Sequence, residues 1–221
     1  MRTIRALTIA TAVVMVLPTI AAAQGGRQFR DSWFWGIKGG GFTFADSAQN
    51  TKNAPMGGVE WLITRSHGGL YISAGQAFFT TQTLTLHDPL APQDSGFRAI
   101  DLKNLRKVDV ALMAFPGDHI HFHPYAGAGL TLDEISSAVP RPPFGTPDQL
   151  AFADTVIQNQ KVGFTPFFVA GAQWRLRWFS VFGQGTANPA QKSFLLYNGK
   201  PWNFTYEFGL RYNVGTSIDR S

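Results

Sequence analysis

The 221 residues include no cysteine. An exported form can therefore use no disulfide and must be held by burial and hydrogen bonding alone. Long hydrophobic runs are missing as well. Beyond the N-terminal region nothing approaches the roughly 20 consecutive apolar residues of a membrane-spanning helix, so a mature chain that enters a bilayer enters it as strands. Charge is scarce too, at 15% of residues. With Arg2 and Arg5 set aside, the 19 basic residues exceed the 14 acidic ones by only about three. That excess is too mild and too scattered for a nucleic-acid surface.

What is present is glycine, 23 residues, and aromatics at 14%. Both are expected where a barrel wall alternates bulky outward side chains with small inward ones. The N-terminus reads as a secretory signal. Arg2 and Arg5 form its basic part, Ala6 to Ile20 its apolar part and Ala21-Ala22-Ala23 its small-residue cleavage site. Cleavage is expected after Ala23; Pro18 interrupts the run and argues against a retained anchor helix. No cysteine follows, which excludes lipoprotein attachment. The expected divisions are a signal peptide over 1–23, a short polar periplasmic lead-in over 24–32, one barrel domain over 33–214 and a polar tail over 215–221.

The clearest stretch is Asn203 to Val214. Phe204, Tyr206, Phe208, Leu210, Tyr212 and Val214 share one parity; Thr205, Glu207, Gly209, Arg211 and Asn213 share the other. About a dozen residues with aromatics at both ends suit a tilted bilayer-spanning strand of roughly 9–11 residues. Glu207, Gly209, Tyr212 and Val214 resemble the assembly signal on the last strand of bacterial outer-membrane barrels, a polar residue, then glycine, then two spaced hydrophobics. The resemblance implies recognition by barrel-assembly machinery. Such strands usually stop at a terminal aromatic, whereas Gly215 to Ser221 continue here.

Alternation marks seven further strands, over 33–44, 56–64, 69–80, 98–115, 120–132, 161–174 and 178–186. Strand one carries Gly39-Gly40-Gly41 and its facing is left open; strand four is the least regular. Asp133 to Asn159 reads as the longest irregular stretch, because Pro140, Pro142, Pro143 and Pro147 oppose a regular strand. The connections run to about ten, four, seventeen, four, nearly thirty, three and about sixteen residues, the long–short rhythm of outer-membrane barrels with short periplasmic turns and long extracellular loops. Signal, alternation, rhythm and last strand together resemble the small eight-stranded OmpA-type and Opacity-type barrel families over almost the whole mature length. The fold expected is all-β, an eight-stranded antiparallel up-and-down transmembrane β-barrel.

Two constellations bear on function. His119, His121 and His123 follow a turn beside Asp118; neutral imidazoles at that spacing can hold a metal, but a wet barrel mouth accounts for them more simply, and no metal or cofactor is expected. Lys38, Glu60, Asp109, Glu207 and Arg211 all point inward on these parities. Eight strands leave an interior that side chains nearly fill, so buried charges there must pair, closing the lumen; the alternative is a polar path for ions or small solutes. Glu207 and Arg211, four apart, are expected to be bridged through Lys38 on the adjacent first strand. A lipid-directed enzyme needs a Ser-His-acid set near a rim; His87 and Asp88 lie in a loop without a serine at strand spacing, so no reaction is assigned. Arg175, Arg177 and Trp178 read as interface anchors. The function expected is a non-enzymatic, monomeric outer-membrane barrel with a largely plugged lumen and an outer-loop partner the sequence does not name, in contact with outer-membrane lipid and lipopolysaccharide. The alternatives are a porin-like pore, or a soluble secreted barrel holding an apolar ligand with the Phe204–Leu210 parity turned inward.

Overall fold

Period-two alternation is carried through to closure. The structure, a computed structural model, describes residues 29–46, 48–87, 97–116, 121–197 and 199–216. The proposed signal peptide, most of the lead-in, most of the tail, Asp88, Asp118 and His119 lie outside those residues. Eight strands follow in order: β1 (Ser32–Ala45), β2 (Thr51–Thr64), β3 (Gly68–His87), β4 (Phe97–Ala114), β5 (Phe122–Pro140), β6 (Val162–Leu176), β7 (Phe179–Pro189) and β8 (Trp202–Thr216). Each pairs antiparallel with its neighbours in the chain, and β1 pairs β8 to close the barrel. Closure leaves no edge through the main wall, so its backbone groups are satisfied within the protein.

The apolar parity of β8 faces outward. Phe208 is 65% exposed, Leu112 on β4 72% and Ile37 on β1 64%. The inverted, ligand-filled barrel would need these side chains inside. On β1, whose facing was open, Trp33, Trp35 and Ile37 are exposed while Phe34, Lys38, Phe42 and Phe44 are buried. The short-turn end carries an aromatic ring: Trp35 meets Trp61 edge-on at 4.3 Å, Phe122 lies 6.1 Å from Trp174, and Phe179 lies 5.3 Å from Tyr212.

The irregularity of β4 has a local cause. Asn104 adopts φ 57, which asparagine tolerates better than most residues, and Ala77↔Leu105 gives way to Thr80↔Lys103 across it. The bulge shifts the buried set from Leu105, Lys107 and Asp109 to Leu102 and Ile100. The Asn104 side chain accepts a hydrogen bond from the Phe79 amide at 3.2 Å.

At the long-loop end β3 reaches His87, taking up the extension over Thr83 to His87 that its sequence allows, and β5 reaches Pro140, further than its sequence suggested. The strict rhythm of loop lengths becomes an asymmetry of strand lengths, with only residues 46–50 left between β1 and β2 while 115–121 separate β4 and β5. The prolines do not prevent structure. Pro140 ends β5, and Pro147 opens a helix, α1 (Pro147–Gln160). Thr146 caps α1 by accepting the Gln149 amide, and the Gln149 side chain accepts in return from the Gly145 amide at 2.5 Å. Proline at the first helical position removes an amide that has no partner there anyway.

What drives the extension is an apolar tier. Phe42, Phe44, Met56, Ile100, Leu102, Leu105 and Ile135 from the strands meet Ala153 and Ile157 of α1 and Phe194, Leu195 and Leu196 of the last loop. Each large side chain buried there contributes on the order of 1.5–3 kcal/mol.

Candidate functional site: the barrel lumen

The lumen is layered. At the short-turn end a second apolar tier holds Phe29, Phe34, Leu62, Met113, Phe115, Tyr125, Phe167 and Val169. Phe29 belongs to the segment expected as a polar lead-in, yet it is buried. Its ring stacks on His123 at 4.0 Å and meets Phe115 edge-on at 4.9 Å. The Thr64 hydroxyl accepts the Ser32 amide at 3.1 Å and donates to the Phe29 carbonyl, fixing the chain across the mouth.

Between the two tiers lies the polar layer, made by inward positions of all eight strands. Lys38, Glu60, Asp109, Glu207 and Arg211 all point into it and all are buried. The ion pairs are Lys38 Nζ to Glu207 Oε1 at 2.8 Å and Arg211 Nε to Glu60 Oε1 at 2.5 Å. The expected bridge from Glu207 through Lys38 to Arg211 does not form, because Glu60 on β2 takes the guanidinium. What links the two pairs is Gln184 on β7. Its amide nitrogen donates to Glu207 at 2.7 Å and to the Tyr71 hydroxyl at 2.9 Å, while its oxygen accepts from Tyr125 at 3.0 Å and from Arg211 Nη2 at 3.4 Å.

A second branch was not foreseen in full. Lys38 also donates to Ser73 at 3.0 Å, which donates to Asp109 at 3.0 Å. Asp109 is met from the other side by Lys107 at 3.2 Å, and Lys107 reaches Asp133 at 3.7 Å and Thr131 at 3.0 Å. Lys107 was legible as an inward residue of β4, two positions from Asp109, and the parity that selects one selects both. Gln173, Gln184 and the two tyrosines carry no charge, so charge pairing alone could not single them out.

Arg211 is the most enclosed member, with a relative exposure of 0%. Its guanidinium lies 3.9 Å from the Phe182 ring centre and 5.2 Å from that of Tyr125, and Nη1 donates to Gln173 at 2.6 Å. Gly209 of the proposed assembly signal has a packing role here. A Cβ at that position would meet the Phe182 ring at 2.6 Å and the Ile37 carbonyl oxygen closer still. The absent side chain leaves room for the ring that backs Arg211. Tyr212 and Val214, the signal's hydrophobics, sit toward the strand's end, Val214 exposed.

His121 and His123 do not converge. His121 is exposed, with its ring 6.4 Å from that of Trp174, while His123 is buried under Phe29. Among the described residues no group of three or more histidine, aspartate and glutamate side chains is placed to hold a metal.

No protein-family profile matches the chain, and no curated protein matches it. Solved structures do. The crystal structure of Neisserial surface protein A aligns with a TM-score of 0.50 at 8% identity, covering 81% of this chain and 96% of that one. Outer membrane protein OprG from Pseudomonas aeruginosa aligns at 0.47 with 12% identity, over 83% and 97% of the two chains. A de novo designed transmembrane β-barrel aligns at 0.37 with 12% identity, over 84% and 98%. At 8% identity the first likeness shows the fold, that of the small eight-stranded barrels.

Proposed function

We propose that the chain is an integral outer-membrane barrel that performs no reaction, keeps its lumen shut and serves as a rigid anchor for the structure at its long-loop end. One observation carries this reading: a paired, buried charge layer enclosed between two apolar tiers. Three cations, Lys38, Lys107 and Arg211, face the carboxylates of Glu60, Asp109 and Glu207 within the layer. Ions entering it would have to break those pairs and cross apolar packing at either mouth, Phe29 and Phe115 at one end and Ala153 and Ile157 of the α1 roof at the other.

Membrane placement is supported by the outward apolar surface with its aromatic ring, which suits a hydrocarbon belt about 25 Å tall flanked by aromatics. In that placement the short turns lie in the periplasm and α1 lies outside the cell. Lipid and lipopolysaccharide contact the belt, and the assembly machinery reads β8. Export with cleavage after Ala23 belongs to the same proposal.

Planar-bilayer recording of the purified full chain tests it. The expected record is silence broken by at most small, rare steps. A large, steady conductance would move the protein to the porin class. Fractionation with the outer membrane and heat-modifiable gel migration are expected alongside; a detergent-free soluble monomer would refute the membrane reading itself.

A further inference from the structure

Beyond the anchor role, and resting on the closed lumen proposed for it, we infer that the two caps of the lumen are unequal. The outer one is fixed, whereas Phe29 at the short turns is a hinged strap that lifts to let water into a polar recess ending at Arg211. The strap lies outside the ladder. β1 begins at Ser32, residues 29–31 form a turn, and Asp31 adopts φ 52, a left-handed conformation that aspartate tolerates better than most residues. Among the described residues one hydrogen bond holds Phe29, from the Thr64 hydroxyl to its carbonyl. Its ring is held by packing, against His123 at 4.0 Å, Phe115 at 4.9 Å and Phe34 at 5.6 Å. A chain segment tied down at so few points opens without disturbing the barrel.

The opposite cap is held differently. The Lys161 amide returns to the Ile157 carbonyl, the Ile135 amide donates to Lys161 and the Leu195 amide to Gln160, so α1, β5 and the last loop are bonded to one another through their backbones. Ala153 and Ile157 of the helix and Leu195 and Leu196 of the loop are buried in one cluster with the strands beneath. Opening that end requires several backbone bonds to break together with the apolar tier.

What the strap covers is polar. His123, under the ring, stands opposite Gln173 in the β5–β6 ladder, and Gln173 Oε1 accepts from Arg211 Nη1 at 2.6 Å. Ser180 stands opposite Arg211 in the β7–β8 ladder. Gln173 and Ser180 are buried, and Gln173 Nε2 and Ser180 Oγ have no hydrogen-bond partner among the described residues. Covering a polar group that has no partner is unfavourable, and water reaching it removes that cost. The closed strap gains the burial of one ring and leaves these two groups unpaired. The lifted strap exposes the ring and hydrates them. Two opposed contributions of the same order keep both forms populated. Beyond the recess lie the Arg211–Glu60 pair and the outer tier, so it is a dead end rather than a pore.

The chain has no cysteine, so one introduced at Ser180, a single-atom change, is a specific probe of access. The full chain carrying Ser180→Cys, in lipid nanodiscs that leave both ends open to solution, is treated with methyl methanethiosulfonate, a small neutral thiol reagent, and modification is followed by mass. Leu102→Cys, in the outer tier, is the matched probe of the other cap. Heat-modifiable migration checks that each variant is folded. The Ser180→Cys thiol is expected to react and the Leu102→Cys thiol to stay unmodified. Adding Phe29→Ala should speed the first about tenfold or more and leave the second unchanged, and Thr64→Val, which removes the hydroxyl but keeps its shape, should speed the first about threefold. The Phe29→Ala barrel should remain silent in a planar bilayer, because the outer cap stays shut. No reaction of the Ser180→Cys thiol, or a rate indifferent to Phe29→Ala, would overturn the strap. Equal reaction of both thiols would mean general loosening and overturn it as well. Steady conductance of the Phe29→Ala barrel would overturn the fixed outer cap, while steady conductance of the parent chain would sink the closed-lumen reading itself.

Discussion

Replacing Arg211 by methionine isolates the electrostatics of the lumen. The guanidinium is fully buried, pairs Glu60 at 2.5 Å, donates to Gln173 at 2.6 Å and stacks on Phe182. Removing one member of a buried ion pair costs about 3–5 kcal/mol, because the survivor keeps its charge without a partner. Glu60 is that survivor, at 1% exposure, with Oε2 accepting no hydrogen bond even in the intact network. Methionine restores much of the volume, so a cavity adds little, while the lost face-on contact with Phe182 adds up to about 2 kcal/mol in a desolvated site. The expected loss is about 4 kcal/mol, near a thousandfold in the folding equilibrium. Urea unfolding of the full chain in lipid vesicles, followed by tryptophan fluorescence, measures it. The companion variant Glu60→Gln, alone and combined with Arg211→Met, completes a cycle; the double variant should lie closer to the parent than Arg211→Met does, because no unpaired charge remains. A single-variant loss below about 1 kcal/mol, or strictly additive losses, would refute a dry, paired lumen.

Two further outcomes are accessible to simple measurement. Gly209→Ala should cost about 1–3 kcal/mol by overpacking against Phe182, whereas Gly215→Ala, where nothing lies within 4 Å of the added methyl, should stay within about 0.5 kcal/mol of the parent; equal behaviour of the two would contradict the packing role of Gly209. At the β1–β2 hairpin, burial pushes the Asp46 carboxyl up, but the amides of Asn50 and Ala48 and the Lys52 ammonium outweigh it and hold the group below its usual value. A lowered folded value means the stabilisation is complete above the unfolded pKa of about 3.9 and is lost as pH falls through the folded value. Amide exchange in this hairpin should therefore quicken below about pH 4 relative to the rest of the barrel, and Asp46→Ala should remove that pH dependence.

Strand existence and facing were legible because they rest on period two, which survives in a single sequence wherever lipid lies on one side and a filled lumen on the other. Val108, Val110 and Leu112 against Lys107, Asp109 and Ala111 needed no further information. Strand ends were not legible, since beyond the lipid belt the outward face is polar and alternation fades. Thr81 to Phe97 reads as a longer loop for that reason, with Thr83 to His87 as the alternative extension of the strand, and the ladder to β4 up to His87↔Phe97 is what extends it. The helix was hidden by its prolines, although Thr146-Pro147 followed by Gln149 carries the sequence marks of a capped start. Asn104 was invisible because a parity shift within a strand resembles the end of one.

The members of the charge layer could be read from parity, but not who holds whom, since partners depend on depth and depth follows from tilt and register. Strand order alone made Lys38 the natural bridge for Glu207 and Arg211. In the closed barrel Gly36 on β1 stands opposite both Glu60 and Arg211. A side chain at Gly36 would meet Glu60 Cγ and Oε1 at 2.8 Å. The missing side chain on β1 thus opens the path by which β2 reaches β8, and Glu60 reaches Arg211 across the intervening strand. Lys38, one pleat further along, is then left to Glu207. It follows that removing Glu207 leaves Lys38, rather than Arg211, without its nearest counter-charge, and Lys38 retains Ser73 and, at 4.0 Å, Asp109. The layer is therefore least tolerant at the Glu60–Arg211 pair, where Gly36, Glu60, Phe182 and Gly209 constrain one another.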